Sequence, residues 1–177
     1  ILVVAVLLAT GMNPAGYTAG MVRLSWLMTP ATICLAIPMY EQFRVLRRNL
    51  KAILAGVIAG SVACMGTILV LGLLLEFDQE LIVSLLPKSV TTAIGVSLSE
   101  LFGGMAGVTT AVIIVTGIVG NMLGPVLCKL FKIEDPVAQG VAFGTAAHVI
   151  GTAKANELSQ LTGAASSLSL VVAGLLT

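Results

Sequence analysis

Two stretches of this chain carry no charge for longer than a soluble helix would. Ala52 to Leu75 and Gly107 to Cys128 are almost wholly apolar. A helix needs about 20 such residues to cross a bilayer, so both are predicted to be spanning helices. Small residues recur four apart in each, at Gly56/Gly60 and Gly120/Gly124, the spacing that lets another helix approach closely. Shorter apolar runs flank them. Ile1 to Met12 reads as the second half of a helix that begins upstream. Leu24 to Tyr40 is long enough to span but holds Pro30 and Pro38, so it should kink or break. Gly163 to Thr177 starts a last helix, with Ser166, Ser167 and Ser169 able to bond across helices or to their own backbone. Both ends read as cut within apolar runs, so the whole is expected to be one membrane domain truncated at each end.

Two further runs break the apolar pattern. Residues 81–104 are interrupted by Pro87 and Lys88, then by Ser89, Thr91 and Thr92. Residues 136–153 open on Pro136, which a first helical turn tolerates, and then alternate glycine, threonine and alanine around the chain's single histidine, His148. Both are expected to be broken helices. Irregular backbone at membrane depth survives only when buried in protein or lining a wet cavity. A broken but crossing path is favoured for 81–104 over a re-entrant one.

Composition supports the lipid reading. The chain of 177 residues is 58% hydrophobic with 10% charged residues and a mean hydropathy of +1.09. Charged residues make up about 25% of a typical soluble domain. The net charge of +1 gives no field to attract nucleic acid. Loop 41–51 holds Arg44, Arg47, Arg48 and Lys51 against Glu41, and so is expected on the cytoplasmic side of a multi-pass cell-membrane protein. Glu76, Asp78 and Glu80 mark the other side. Lys129 and Lys132, followed by Glu134 and Asp135, leave the side of the next loop open. Cys34, Cys64 and Cys128 show no paired spacing and read as packing residues. No metal-ligand cluster, phosphate loop or nucleophile motif is present, so neither a cofactor nor an enzyme activity is expected.

The candidate chemistry lies in the two interrupted runs. Broken helices place free amide ends at mid-membrane, where they suit an anion such as a carboxylate. Lys88, Ser89, Thr91 and Thr92 in one run, and Gly144, Thr145, His148, Gly151 and Thr152 in the other, are the candidate substrate-binding residues. His148 is read in two ways, as a proton-coupling group titrating near physiological pH or as a neutral packing residue. Lys154 is a secondary candidate that can equally snorkel to the interface. Gly16/Gly20, Gly103/Gly107 and Gly140/Gly144 repeat the small-residue spacing and fit either internal packing or a homodimer face.

These residues carry a family resemblance. LMTPATICLAIPMYEQ (27–42), SLLPKSVTTAIGVSLSE (84–100), VTGIVGNMLGP (115–125), IEDPVAQGVAFGTAAHVIGTAKANEL (133–158) and GAASSLSLVVAG (163–174) resemble the LrgB/CidB family of membrane proteins over nearly the whole chain. The resemblance implies an all-α, polytopic bundle with discontinuous helices and an inverted-repeat transporter architecture. It implies a partner, a holin-like LrgA/CidA-type protein, in control of murein hydrolase activity and cell lysis. It also implies transport of small carboxylates, as in a bacterial pyruvate system and the plastid glycolate/glycerate translocator.

Overall fold

The computed structural model describes residues 33, 34 and 36–177, and residues 38–177 form one compact unit. The expected helix over 1–12 and most of that over 24–40 lie outside the described residues. Eight helices follow: α1 (Ala36–Glu41), α2 (Phe43–Arg48), α3 (Leu50–Leu74), α4 (Gln79–Leu85), α5 (Thr92–Leu101), α6 (Ala106–Leu130), α7 (Pro136–Leu158) and α8 (Gln160–Leu176). No strand occurs among the described residues. The basic segment expected as a loop is partly helical, in α2.

α3 and α6 are 25 residues each, with mean hydropathies of 2.3 and 2.1 over their most apolar windows. Little of either is buried, and Leu69, Leu73, Val115, Met122 and Val126 stand exposed. A soluble fold would hide such helices; bare apolar flanks suit lipid. Neighbouring residues give their directions. Gly56 of α3 meets Val141 of α7, and Gly60 meets Thr145. Gly124 of α6 meets Phe143, and Gly117 meets His148. α3 therefore runs parallel to the first half of α7, and α6 antiparallel to it.

The crossing path favoured for 81–104 is not what the chain adopts. α4 and α5 fold back on each other as a hairpin with its tip at 86–91. Thr109 Oγ1 lies 2.9 Å from the Ser84 carbonyl and 2.7 Å from the Ser99 hydroxyl, so one side chain touches both arms. The Ser84 hydroxyl also accepts from the Met105 amide at 2.7 Å. With Pro87 and Lys88 in the tip, no continuous ladder carries the helix onward.

α7 is likewise a hairpin. His148, at φ 42° and ψ −135°, breaks its helical geometry. A Cβ on Gly151 would lie 2.8 Å from the carbonyl of Phe143, eight residues earlier. A straight helix separates such residues by about 12 Å. α8 reads the reversal from outside. Gly140 packs on Ala165 and Gly144 on Ser169, while Thr152 bonds Ser166 and Asn156 abuts Gly163. The numbering climbs along one arm and falls along the other. The expected break in 136–153 is present, and the segment returns rather than crosses.

The two hairpins belong to an inverted repeat. α3 and α6 end on the same cap: Glu76 and Lys132 take φ 53° and 52°, and Phe77 and Ile133 each donate at 2.8 Å to the carbonyls of Gly72 and Cys128. Inside the hairpins, Gly95 sits against the Pro87 carbonyl as Gly151 does against that of Phe143. Each repeat is a crossing helix followed by a hairpin, and because α3 and α6 are antiparallel the hairpins enter from opposite ends. The apolar core gathers Ile53 and Val57 of α3 with Ala164, Ala165 and Ala173 of α8.

Candidate functional site

The tips of the two hairpins meet near the middle of α3 and α6. The first tip supplies Leu86, Ser89 and Val90 to a small cavity, the second supplies Thr145, α3 supplies Ser61, Cys64 and Met65, and α8 supplies Ala173. The cavity is about 10 Å³, room for one water-sized group. A larger space of about 350 Å³, shared by Met65, Leu86, Pro87 and Ser99, lies on the side from which the first hairpin enters.

Lys88 Nζ donates to Ser89 Oγ at 3.3 Å, and that oxygen lies 3.0 Å from Cys64 Sγ. Lys88 is half-buried. Thr91 takes extended backbone angles as the N-cap of α5, without a side-chain cap bond. The first amides of α5 therefore face the tip unpaired by that side chain.

His148 is 3% exposed. Its Nε2 lies 2.8 Å from the carbonyl of Ile113 on α6. A carbonyl only accepts, so Nε2 carries the proton. Gly117 makes room for the ring: a Cβ there would lie 2.7 Å from Cε1. Backbone strain of this kind at a non-glycine residue costs about 1–3 kcal/mol, and the bond to Ile113 helps to hold it.

The structure thus brings Ser89 and Thr145 to one cavity, with Lys88 bonded to Ser89, Thr91 next along the first tip, and His148 at the second tip held to α6. Other candidates have different duties. Thr92 is exposed on the outer face of α5. Gly144 is pressed against α8, and Gly151 against its own hairpin. Thr152 is spent on the His148 carbonyl at 2.9 Å and on Ser166 at 2.8 Å. Lys154 pairs with Glu157 at 2.7 Å on the returning arm, away from the tips. Gly140/Gly144 serve internal packing, while Gly103 and Gly107 touch nothing that a Cβ would meet; Gly16/Gly20 lie outside the described residues.

Ser61 and Cys64 were missed by sequence reasoning. The signal was present: they are polar residues three apart on one face of an otherwise apolar helix. Cys64, read from sequence as a packing residue, lines the small cavity and lies 3.0 Å from Ser89 Oγ. Among the described residues no group of acidic, histidine and cysteine side chains is placed to hold a metal ion.

Comparison with known proteins agrees with the sequence reading. The model of the LrgB-like family matches residues 1–177. The chain is 37% identical to the uncharacterized protein YwbG of Bacillus subtilis (strain 168), over 98% of this chain and 77% of that one. It is 34% identical to the uncharacterized protein YxaC of the same organism, over 99% of this chain and 76% of the relative. No solved structure matches.

Proposed function

The chain belongs to the LrgB-like family of membrane proteins, and from that premise we propose that it carries small carboxylates such as pyruvate, glycolate, glycerate or lactate across the cell membrane. The observation that supports this reading most is the meeting of two hairpin tips entering from opposite ends, with Lys88 carried in the first of them and bonded to Ser89. A lysine near the bilayer centre costs about 2.5–3.5 kcal/mol to insert. A bound carboxylate would offset much of that by pairing with it. The α5 amides and the Ser89 hydroxyl would donate to the carboxylate oxygens, and the Thr145 hydroxyl, which donates to the Val141 carbonyl at 2.7 Å, would have to turn from it to join them.

His148 is the proposed proton-coupling group. Its ring ties the second tip to the Ile113 carbonyl, so a change in its protonation alters the grip of that tip on α6. The repeat supplies alternating access, one hairpin parting from its crossing helix while the other stays packed.

The multi-pass orientation follows the same proposal. The end shared by the start of α3 and the end of α6 bears Arg44, Arg47, Arg48, Lys51, Lys129 and Lys132. The opposite end bears Glu76, Asp78 and Glu80. The basic end, including loop 41–51, is assigned to the cytoplasm. A holin-like LrgA/CidA-type protein is the proposed partner.

The test is uptake of labelled pyruvate, glycolate or lactate by the full-length protein in proteoliposomes, with and without a holin-like partner. Lys88→Ala should lower uptake at least tenfold. Wild-type uptake should vary between about pH 5 and 8, where imidazole titrates, and His148→Gln should flatten that profile. No transport of any of the three under either condition would leave the other reading, a regulatory partner of a holin-like pore that controls murein hydrolase activity and lysis.

A further inference from the structure

We propose that Ser61 and Cys64 of α3 form a third wall of the anion site, and that the Cys64 thiol is a modification site whose reactivity reports occupancy. This rests on the transport reading above. The two halves of the repeat differ at these positions. Through the shared cap, Cys64 and Ser61 of α3 correspond to Gly120 and Gly117 of α6. On α6 those glycines let the second tip touch the helix directly, Gly120 abutting the Cβ of Ala147 and Gly117 the ring of His148, and the space beside Gly120 is walled by apolar residues such as Leu123, Phe143 and Ala147. On α3 the same two positions carry polar side chains, and one of them, Cys64, meets Ser89 of the first tip. A space remains, bounded by Ser61, Cys64, Ser89 and Thr145.

The chemistry of that space is specific. Cys64 Sγ and Ser89 Oγ are 3.0 Å apart, and Lys88 donates to the same serine. One oxygen-sized group fits now, matching a single carboxylate oxygen. A whole carboxylate needs the tip to part from α3, which opens the space toward the larger cavity sharing Met65 and Leu86. Ligand and thiol reagent would then compete for one place.

The experiment uses full-length protein in proteoliposomes, with every cysteine but Cys64 changed to serine. Cys34→Ser and Cys128→Ser are expected to leave uptake unchanged. N-ethylmaleimide is the probe: the sulfur bonds to one alkene carbon, the thiol proton ends on the other, and no group leaves. Labelling should stop pyruvate uptake, pyruvate should slow labelling at least fivefold, and chloride should not. Cys64→Ser should neither label nor lose uptake to the reagent. Ser61→Ala and Cys64→Val should raise KM for pyruvate at least fivefold with a smaller change in kcat. Saturable uptake with labelling of Cys64 that pyruvate leaves unaltered would overturn the third wall and leave the transport reading standing. Absence of uptake from the unlabelled protein would overturn both.

Discussion

At the scale of residues, side-chain size on the two crossing helices decides how closely each tip can pack. Gly120 has no spare room, because a methyl group would collide with the Cβ of Ala147. Gly66, on the same kind of helix, meets nothing within 4 Å. Gly120→Ala should therefore destabilise the protein by about 1–3 kcal/mol through overpacking. Gly66→Ala should stabilise it by about 0.5–1 kcal/mol through helix propensity alone. Thermal unfolding in detergent should shift the midpoint in opposite directions for the two variants. A shift of the same sign would mean that the second tip does not press on α6 in the membrane.

At the scale of elements, α3 and α6 were legible because uncharged length is a strong signal. Their observed limits, Leu50–Leu74 and Ala106–Leu130, lie within two residues of the expected ones at each end, as helix ends commonly do. The breaks at 86–91 and 148 were also legible, from Pro87 with Lys88 and from the glycine-rich run around His148. The direction taken after each break was not. It depends on Thr109 touching Ser84 and Ser99, and on Gly151 reaching Phe143. Such contacts involve residues distant along the chain, and no periodicity reports them. Return of both hairpins predicts a labelling pattern. Single cysteines at Gln79 and Phe102 should react with an impermeant maleimide from one side of the membrane. Those at Glu134 and Leu158 should react from the other. Reaction of Gln79→Cys and Phe102→Cys from opposite sides would restore a crossing 81–104.

At the scale of the whole molecule, the site is where two inverted halves meet, and the halves differ in the polarity of the helix wall each tip faces. The cavity between them holds only one water-sized group, so turnover of a larger anion requires the first tip to move. Ser89→Cys places a second thiol beside Cys64, where Sγ and Oγ now stand 3.0 Å apart. Its oxidised form should stop transport and its reduced form should restore it, in the same proteoliposomes. Equal rates in both forms would show that the tip stays put during the cycle. The cap shared by α3 and α6 has one more consequence. Two halves built alike and inverted give the newly made chain little geometric ground for telling one face of the membrane from the other. At the matching cap, one copy carries Glu76 and the other Lys132. Orientation during biogenesis is then left to charge at such positions, and exchanging the two residues should yield a population inserted both ways up.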